Sequence, residues 1–182
     1  TKRGGGGTTQ RNKSGHERNR RSMSAREFSA AAPSARSRTA DTARATVFEV
    51  LRSVAESDAY ANLVLPKAIR SHRLDHRDAG FATELTFGTL RHQGTYDAIL
   101  RHCVDRPLEK VGTTTLIVLR MGVHQLLNMR VPAHAALNQS VSLAREKIGA
   151  GPASFINAVL RRVSERTPEE WYELIVEEAK DD

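Results

Sequence analysis

The chain has 182 residues, with 28 Lys and Arg against 21 Asp and Glu and a formal net charge of +7. One cysteine, Cys103, excludes an internal disulfide framework and suits a reducing, cytoplasmic setting. No apolar run approaches the roughly 20 residues needed to span a bilayer, so no membrane association is expected. The surplus charge lies in residues 1–40, which carry ten Lys and Arg against two Glu, whereas residues 41–182 carry eighteen against nineteen.

Residues 1–40 read as a disordered, Arg-rich arm. The run Gly4 to Gly7, many Ser, Thr and Asn, and only Met23 and Phe28 as large apolar side chains leave too little surface to offset the entropy of ordering. Such an arm on a nearly neutral body suits a polyanion partner, RNA above all. A solvated leader and a transit peptide have similar compositions.

From Asp41 the periodicity is helical. Asp41 is a candidate cap for a first helix through Val47, Val50, Leu51 and Val54 to about Ser57; a second spans Ala59 to Arg70, started or bent by Pro66. Asp75 opens a third through Phe81, Ala82, Leu85 and Leu90, with Gly94 marking its end or a break before Tyr96 to Val104. Pro107 closes that half. Thr113 to Thr115 offer a cap for the stripe Leu116, Leu119, Val123 and Leu126; Pro132 starts the next helix, Gly149 stops it, and Pro152 opens another through Ile156, Val159, Leu160 and Val163. Thr167, Pro168 and Glu170 form a capping box before Trp171, Leu174 and Ile175. Nothing alternates with period two for long, so the prediction is an all-α domain over residues 41–180, a bundle of seven or eight helices.

Several motifs in one order carry a resemblance: Arg77-Asp78-Ala79, Thr83-Glu84-Leu85, Gly88-Thr89-Leu90-Arg91, Arg106-Pro107-Leu108, Leu119 to Leu127, Val131-Pro132-Ala133-His134-Ala135-Ala136-Leu137-Asn138, and Phe155 to Arg162. Together they resemble the NusB-like N-terminal domain of the Sun/Fmu/RsmB family of ribosomal RNA methyltransferases. The resemblance implies a NusB-like RNA-binding accessory domain. In that family a separate Rossmann-like domain, absent from this chain, moves a methyl group from S-adenosylmethionine to carbon 5 of a cytosine in 16S ribosomal RNA. The implied partners are ribosomal RNA and the protein's own C-terminal methyltransferase domain. The alternatives are a free-standing NusB-type antitermination factor that binds RNA with a small ribosomal protein, and a structural brace for a catalytic neighbour.

The residues themselves point to no chemistry in this chain. Cys103 stands alone on a predicted helix and reads as a small buried hydrophobe. Gly149-Ala150-Gly151 follows a helix rather than a strand and meets Pro152, so it reads as a helix stop and restart rather than a cofactor loop. The histidine pairs at helical spacing, His72 with His76 and His134 with Asn138, lack further metal ligands. No catalytic residue, resident cofactor or metal site is therefore expected. For RNA the candidates are Arg36 and Arg38 in the arm, Arg44 at the start of the first helix, where free backbone N–H groups favour phosphate, and Arg91, Arg161 and Arg162 in the resembling motifs. Most of the few aromatics fall at core-facing positions, so no base-stacking platform is expected.

Overall fold

The computed structural model describes residues 41–182, so Arg36, Arg38 and the expected disorder of the arm lie outside the described residues. These residues form eight α-helices and one 3-10 turn, without a strand: α1 (Thr42–Ser57), α2 (Ala61–Ser71), α3 (His76–Arg91), α4 (Gln93–Arg101), the turn Leu108–Lys110, α5 (Thr113–Leu127), α6 (Ala133–Lys147), α7 (Ala150–Ser164) and α8 (Pro168–Asp181). No helix among them is long and apolar enough to cross a membrane.

Three helix starts are set by side chains. Asp41 accepts from the Ala43 N–H at 3.1 Å, Asp75 accepts from the Asp78 N–H at 2.8 Å, and Thr167 with Glu170 completes the capping box behind Pro168. Other expected boundaries move. Gly112, not the Thr run, caps α5, and α7 begins at Ala150, which puts Pro152 inside its first turn. The break between α3 and α4 falls at His92 rather than Gly94. Backbone bonding runs across it, His92 N–H to Gly88 C=O and Tyr96 N–H to His92 C=O, and the bend turns Tyr96, Ile99 and Leu100 into the core.

Helix α5 is the axis of the body. It is apolar on nearly every side, which is the pattern of a helix surrounded by others, and it packs against α1, α3, α4, α6 and α7. Val118, Leu119, Met121 and Val123 are fully buried with Val47, Phe48, Leu85, Ile99, Ile156 and Leu160. Each such side chain contributes about 1.5–3 kcal/mol on leaving water. Two glycines permit the closest approaches: a Cβ on Gly122 would lie 2.6 Å from Leu160 Cδ1, and one on Gly88 would lie 2.1 Å from His124 Nε2. Helix α8 docks through Trp171, whose buried indole donates to the Val163 carbonyl at 2.8 Å, while the Arg166 guanidinium sits 5.0 Å over the ring.

Candidate nucleic-acid interface

The predicted arginines of the body separate. Arg44 is a correction: it is only 8% exposed, and its guanidinium pairs with Asp41, donates to Gln125 Oε1 at 2.6 Å and lies 4.7 Å over the Phe81 ring. Burial pulls its pKa down to about 10, which leaves it charged at neutral pH. It is a bolt between α1, α3 and α5, with no free fork for a phosphate. Arg162 is exposed but clasped, donating to the Cys103 carbonyl at 2.8 Å and to Asp105 at 3.2 Å. Arg91, at the end of α3, and Arg161, on α7, are exposed without an acidic partner among the described residues. The two lie on separate helices, α3 and α7. Cys103 is buried, and that burial pushes its thiol up to about 11 against the opposing pull of Arg162.

A different group of cations is brought together. Lys67 and Arg70 on α2, Arg73 in the connection, and Arg77 in the first turn of α3 are all exposed, and none is ion-paired among the described residues. Within residues 67–78 these four face only Asp75 and Asp78, and Asp75 is engaged as the cap of α3. Arg73 sits in the left-handed region at φ 52, which ends α2 and turns the chain into α3. Tyr60, Leu63, Lys67 and Arg70 recur at intervals of three and four, so one face of α2 carries an aromatic ring, an aliphatic side chain and two cations. Tyr60 is 72% exposed and Leu63 60%. Phe48, Tyr96 and Trp171 face the core as expected of most aromatics, and Tyr60 is an exception.

This corner lies at the end of the body where α1 begins. Phe81 of α3 reaches Arg44 in the first turn of α1, and His72 Nε2 bonds Glu49 Oε2 at 2.8 Å. Glu49 also stands 3.7 Å from Lys147 at the end of α6, so its one carboxylate is shared between two basic groups. The signal in the sequence was the spacing of cations through residues 67–77. A count of charges, however, does not show which of them find partners.

The opposite treatment of polar groups occurs inside. Tyr172 donates to Asn128 Oδ1 at 3.2 Å, the Asn128 amide donates to the Tyr96 oxygen, the Tyr96 hydroxyl therefore donates to His124 Nδ1 at 2.6 Å, and His124 Nε2–H donates to Glu84 at 3.3 Å. Every bond in this chain has one direction, which fixes His124 as the neutral Nε2–H tautomer. Burial lowers the His124 pKa; the Glu84 carboxylate opposes this, and the neighbouring His92 and Arg91 add to the depression. Burial likewise pushes the Tyr96 hydroxyl up.

The architecture defines the class first: an all-α bundle wrapped around one central helix. The chain belongs to the NusB family, whose sequence profile matches residues 41–165. It is 41% identical over 147 residues to a Mycobacterium tuberculosis (strain H37Rv) protein that carries a methyltransferase name, covering 81% of this chain and 32% of that protein. It is 34% identical over 121 residues to a Synechocystis protein named "probable ribosomal RNA small subunit methyltransferase B", covering 66% of this chain and 27% of that protein. A solved structure of the antitermination factors NusB and NusE in complex with dsRNA superposes with a TM-score of 0.63 at 19% identity, over 69% of this chain and 95% of that one, which shows the shared fold. The chain spans about a third of the length of these curated relatives.

Proposed function

We propose that the chain is the RNA-binding domain of a ribosomal RNA cytosine-5 methyltransferase, holding the small-subunit RNA for a separate catalytic domain that uses S-adenosylmethionine. The observation that carries this reading is the α2–α3 corner. Four unpaired cations follow one another there within eleven residues, from the helix that exposed Tyr60 caps into the first turn of the next. Phosphates bind such a surface by releasing counterions, and Tyr60 offers a face on which an unpaired base can stack. The methyltransferase names of the relatives support the choice of RNA class and the further domain. Arg36 and Arg38, outside the described residues, are further candidates for phosphate contact. A role as a free-standing antitermination factor with a small ribosomal protein is supported by the fold alone.

If the four cations neutralise four phosphates of single-stranded RNA, affinity should fall about 50-fold between 50 and 200 mM salt. The test is fluorescence anisotropy with small-subunit ribosomal RNA segments, using the chain and a variant carrying Lys67→Gln, Arg70→Gln, Arg73→Gln and Arg77→Gln. The variant should bind weakly with a shallow salt dependence while unfolding at the same denaturant midpoint. Equal affinity of the two proteins, or affinity indifferent to salt, would overturn the reading.

A further inference from the structure

Where the last turns of α1 and α3 meet the start of α4 and the second turn of α5, the helices leave a cleft of about 220 Å³ that has no part in the charged corner. Its floor is Leu51, Ile117 and Thr89, exposed by only 4%, 3% and 2%. Val54 and Leu90 are half-buried and wall it, and the exposed Ala55 stands at its mouth. Pockets for drug-sized ligands run from about 300 to 1,000 Å³, so a space of this size suits a single ring system.

Three polar residues interrupt this apolar lining. Arg120 is the one charged residue among them, and Asp97 neutralises it through two hydrogen bonds at 2.7 and 2.8 Å, so the cleft offers an anion no net attraction. Gln93, the first residue of α4, is half-buried and brings an amide that both donates and accepts. Thr89 brings a hydroxyl that is buried without a hydrogen-bond partner among the described residues. Thr83, earlier on the same helix, returns its hydroxyl to the Ala79 carbonyl at 2.7 Å, the ordinary recourse of a helical threonine. Thr89 makes no such bond, and an unpaired polar group in the interior is uncommon. Here it belongs to the floor of a cleft that opens to solvent.

We propose that this cleft binds a nucleobase. A flat ring with apolar faces and a polar edge suits Val54 and Leu90 as walls, with Thr89 and Gln93 to meet its edge, and the neutrality of the lining suits a base rather than a phosphate. Resting on the RNA-binding reading above, the occupant is an unpaired base of the bound strand, splayed out of its stack as bases in loops and single strands are. Ala55 precedes Tyr60 by five residues, and α2 then leads to Lys67 and Arg70, so the slot lies toward the start of α2 and the charged corner at its end, a helix length of about 16 Å. The corner would hold phosphates and the slot would select unpaired nucleotides. A free nucleoside would use the same contacts.

The test uses the 182-residue chain labelled with 15N, titrated with each of the four ribonucleosides, with ribose as the control, and then with a single-stranded ribosomal RNA segment. Nucleosides should move the amides of Val54, Ala55, Leu90, Gln93 and Ile117, ribose should not, and the RNA should move the same set. Ala55→Leu fills the mouth from an exposed helical position, so it should fold and abolish these responses. Thr89→Val keeps the shape and removes the hydroxyl, and it should weaken nucleoside binding about fivefold, the loss expected for one neutral hydrogen bond, without lowering the urea midpoint. Shifts with nucleosides but not with RNA would keep the slot and assign it to a free nucleoside or nucleotide. Silent amides in both titrations, shifts that ribose reproduces or that stay confined to Tyr60 and Leu63, or parental nucleoside affinity in either variant would overturn the proposal. RNA affinity that still depends on Lys67, Arg70, Arg73 and Arg77 in that case would show that the RNA-binding reading stands without the slot.

Discussion

Arg44 and Arg120 in the interior can be set against Lys67, Arg70, Arg73 and Arg77 at the α2–α3 corner. Arg120 makes a two-pronged pair with Asp97, at 2.7 and 2.8 Å, with both side chains largely covered, and Arg44 is held by Asp41, Gln125 and the Phe81 ring. Each interior arginine joins helices distant in sequence, and removing it would strand a partner away from water. At the corner the four cations have water for a partner and nothing to strand. The difference separates charges that hold the fold from charges available to a ligand, and it lies in where the acids are placed rather than in the cations themselves.

The largest effect should come from closing the space that the interior polar chain needs. Gly88→Ala drives a methyl group into His124 and should cost about 3 kcal/mol, read by urea unfolding, because overpacking here also breaks the bonds to Tyr96 and Glu84. Arg44→Met should follow at about 2–3 kcal/mol, leaving Asp41 and Gln125 without their donor, and should not change the salt dependence of RNA binding. A loss of RNA affinity with full stability in Arg44→Met would instead move that residue to the binding surface. His124 should make stability depend on pH. Its pKa is depressed by folding, so its contribution is complete above the unfolded value of about 6.5 and is lost as pH falls below it, read as a drop in the urea midpoint on acidification. A His124→Gln chain should lack that part of the slope. The smallest effect should have the opposite sign: the Thr89 hydroxyl is buried without a partner, so Thr89→Val should be neutral or stabilising by about 0.5 kcal/mol in the same unfolding assay.

The helices were legible because their ends are written locally. Asp41, Asp75 and the Thr167 to Glu170 box act within one turn, and the apolar stripes through Val47, Leu119 and Ile156 repeat without interruption. The His92 junction was not legible, since the bend is decided by burying Tyr96 rather than by the nearby glycine. The 3-10 turn at Leu108–Lys110 has no distinctive pattern beyond Pro107. The candidate interface was read less well than the fold for a related reason. Arg44 looked like a free charge at a helix start, but its acceptor Gln125 is 81 residues away. Lys67, Arg70, Arg73 and Arg77 were not among the expected contacts, because sequence does not show which exposed cations lack an acidic partner in space. Arg91 and Arg161 remain exposed, and neither joins that cluster.

Trp171 is the chain's sole tryptophan, and it sits where α8 meets α7, its indole bonded to the Val163 carbonyl and shielded from solvent. The protein consequently contains its own optical gauge of that junction. Emission should be blue-shifted in the native state and move to longer wavelength when α8 lifts, while far-ultraviolet ellipticity barely changes. Following both signals would time the detachment of the terminal helix separately from the collapse of the bundle, without attaching a dye.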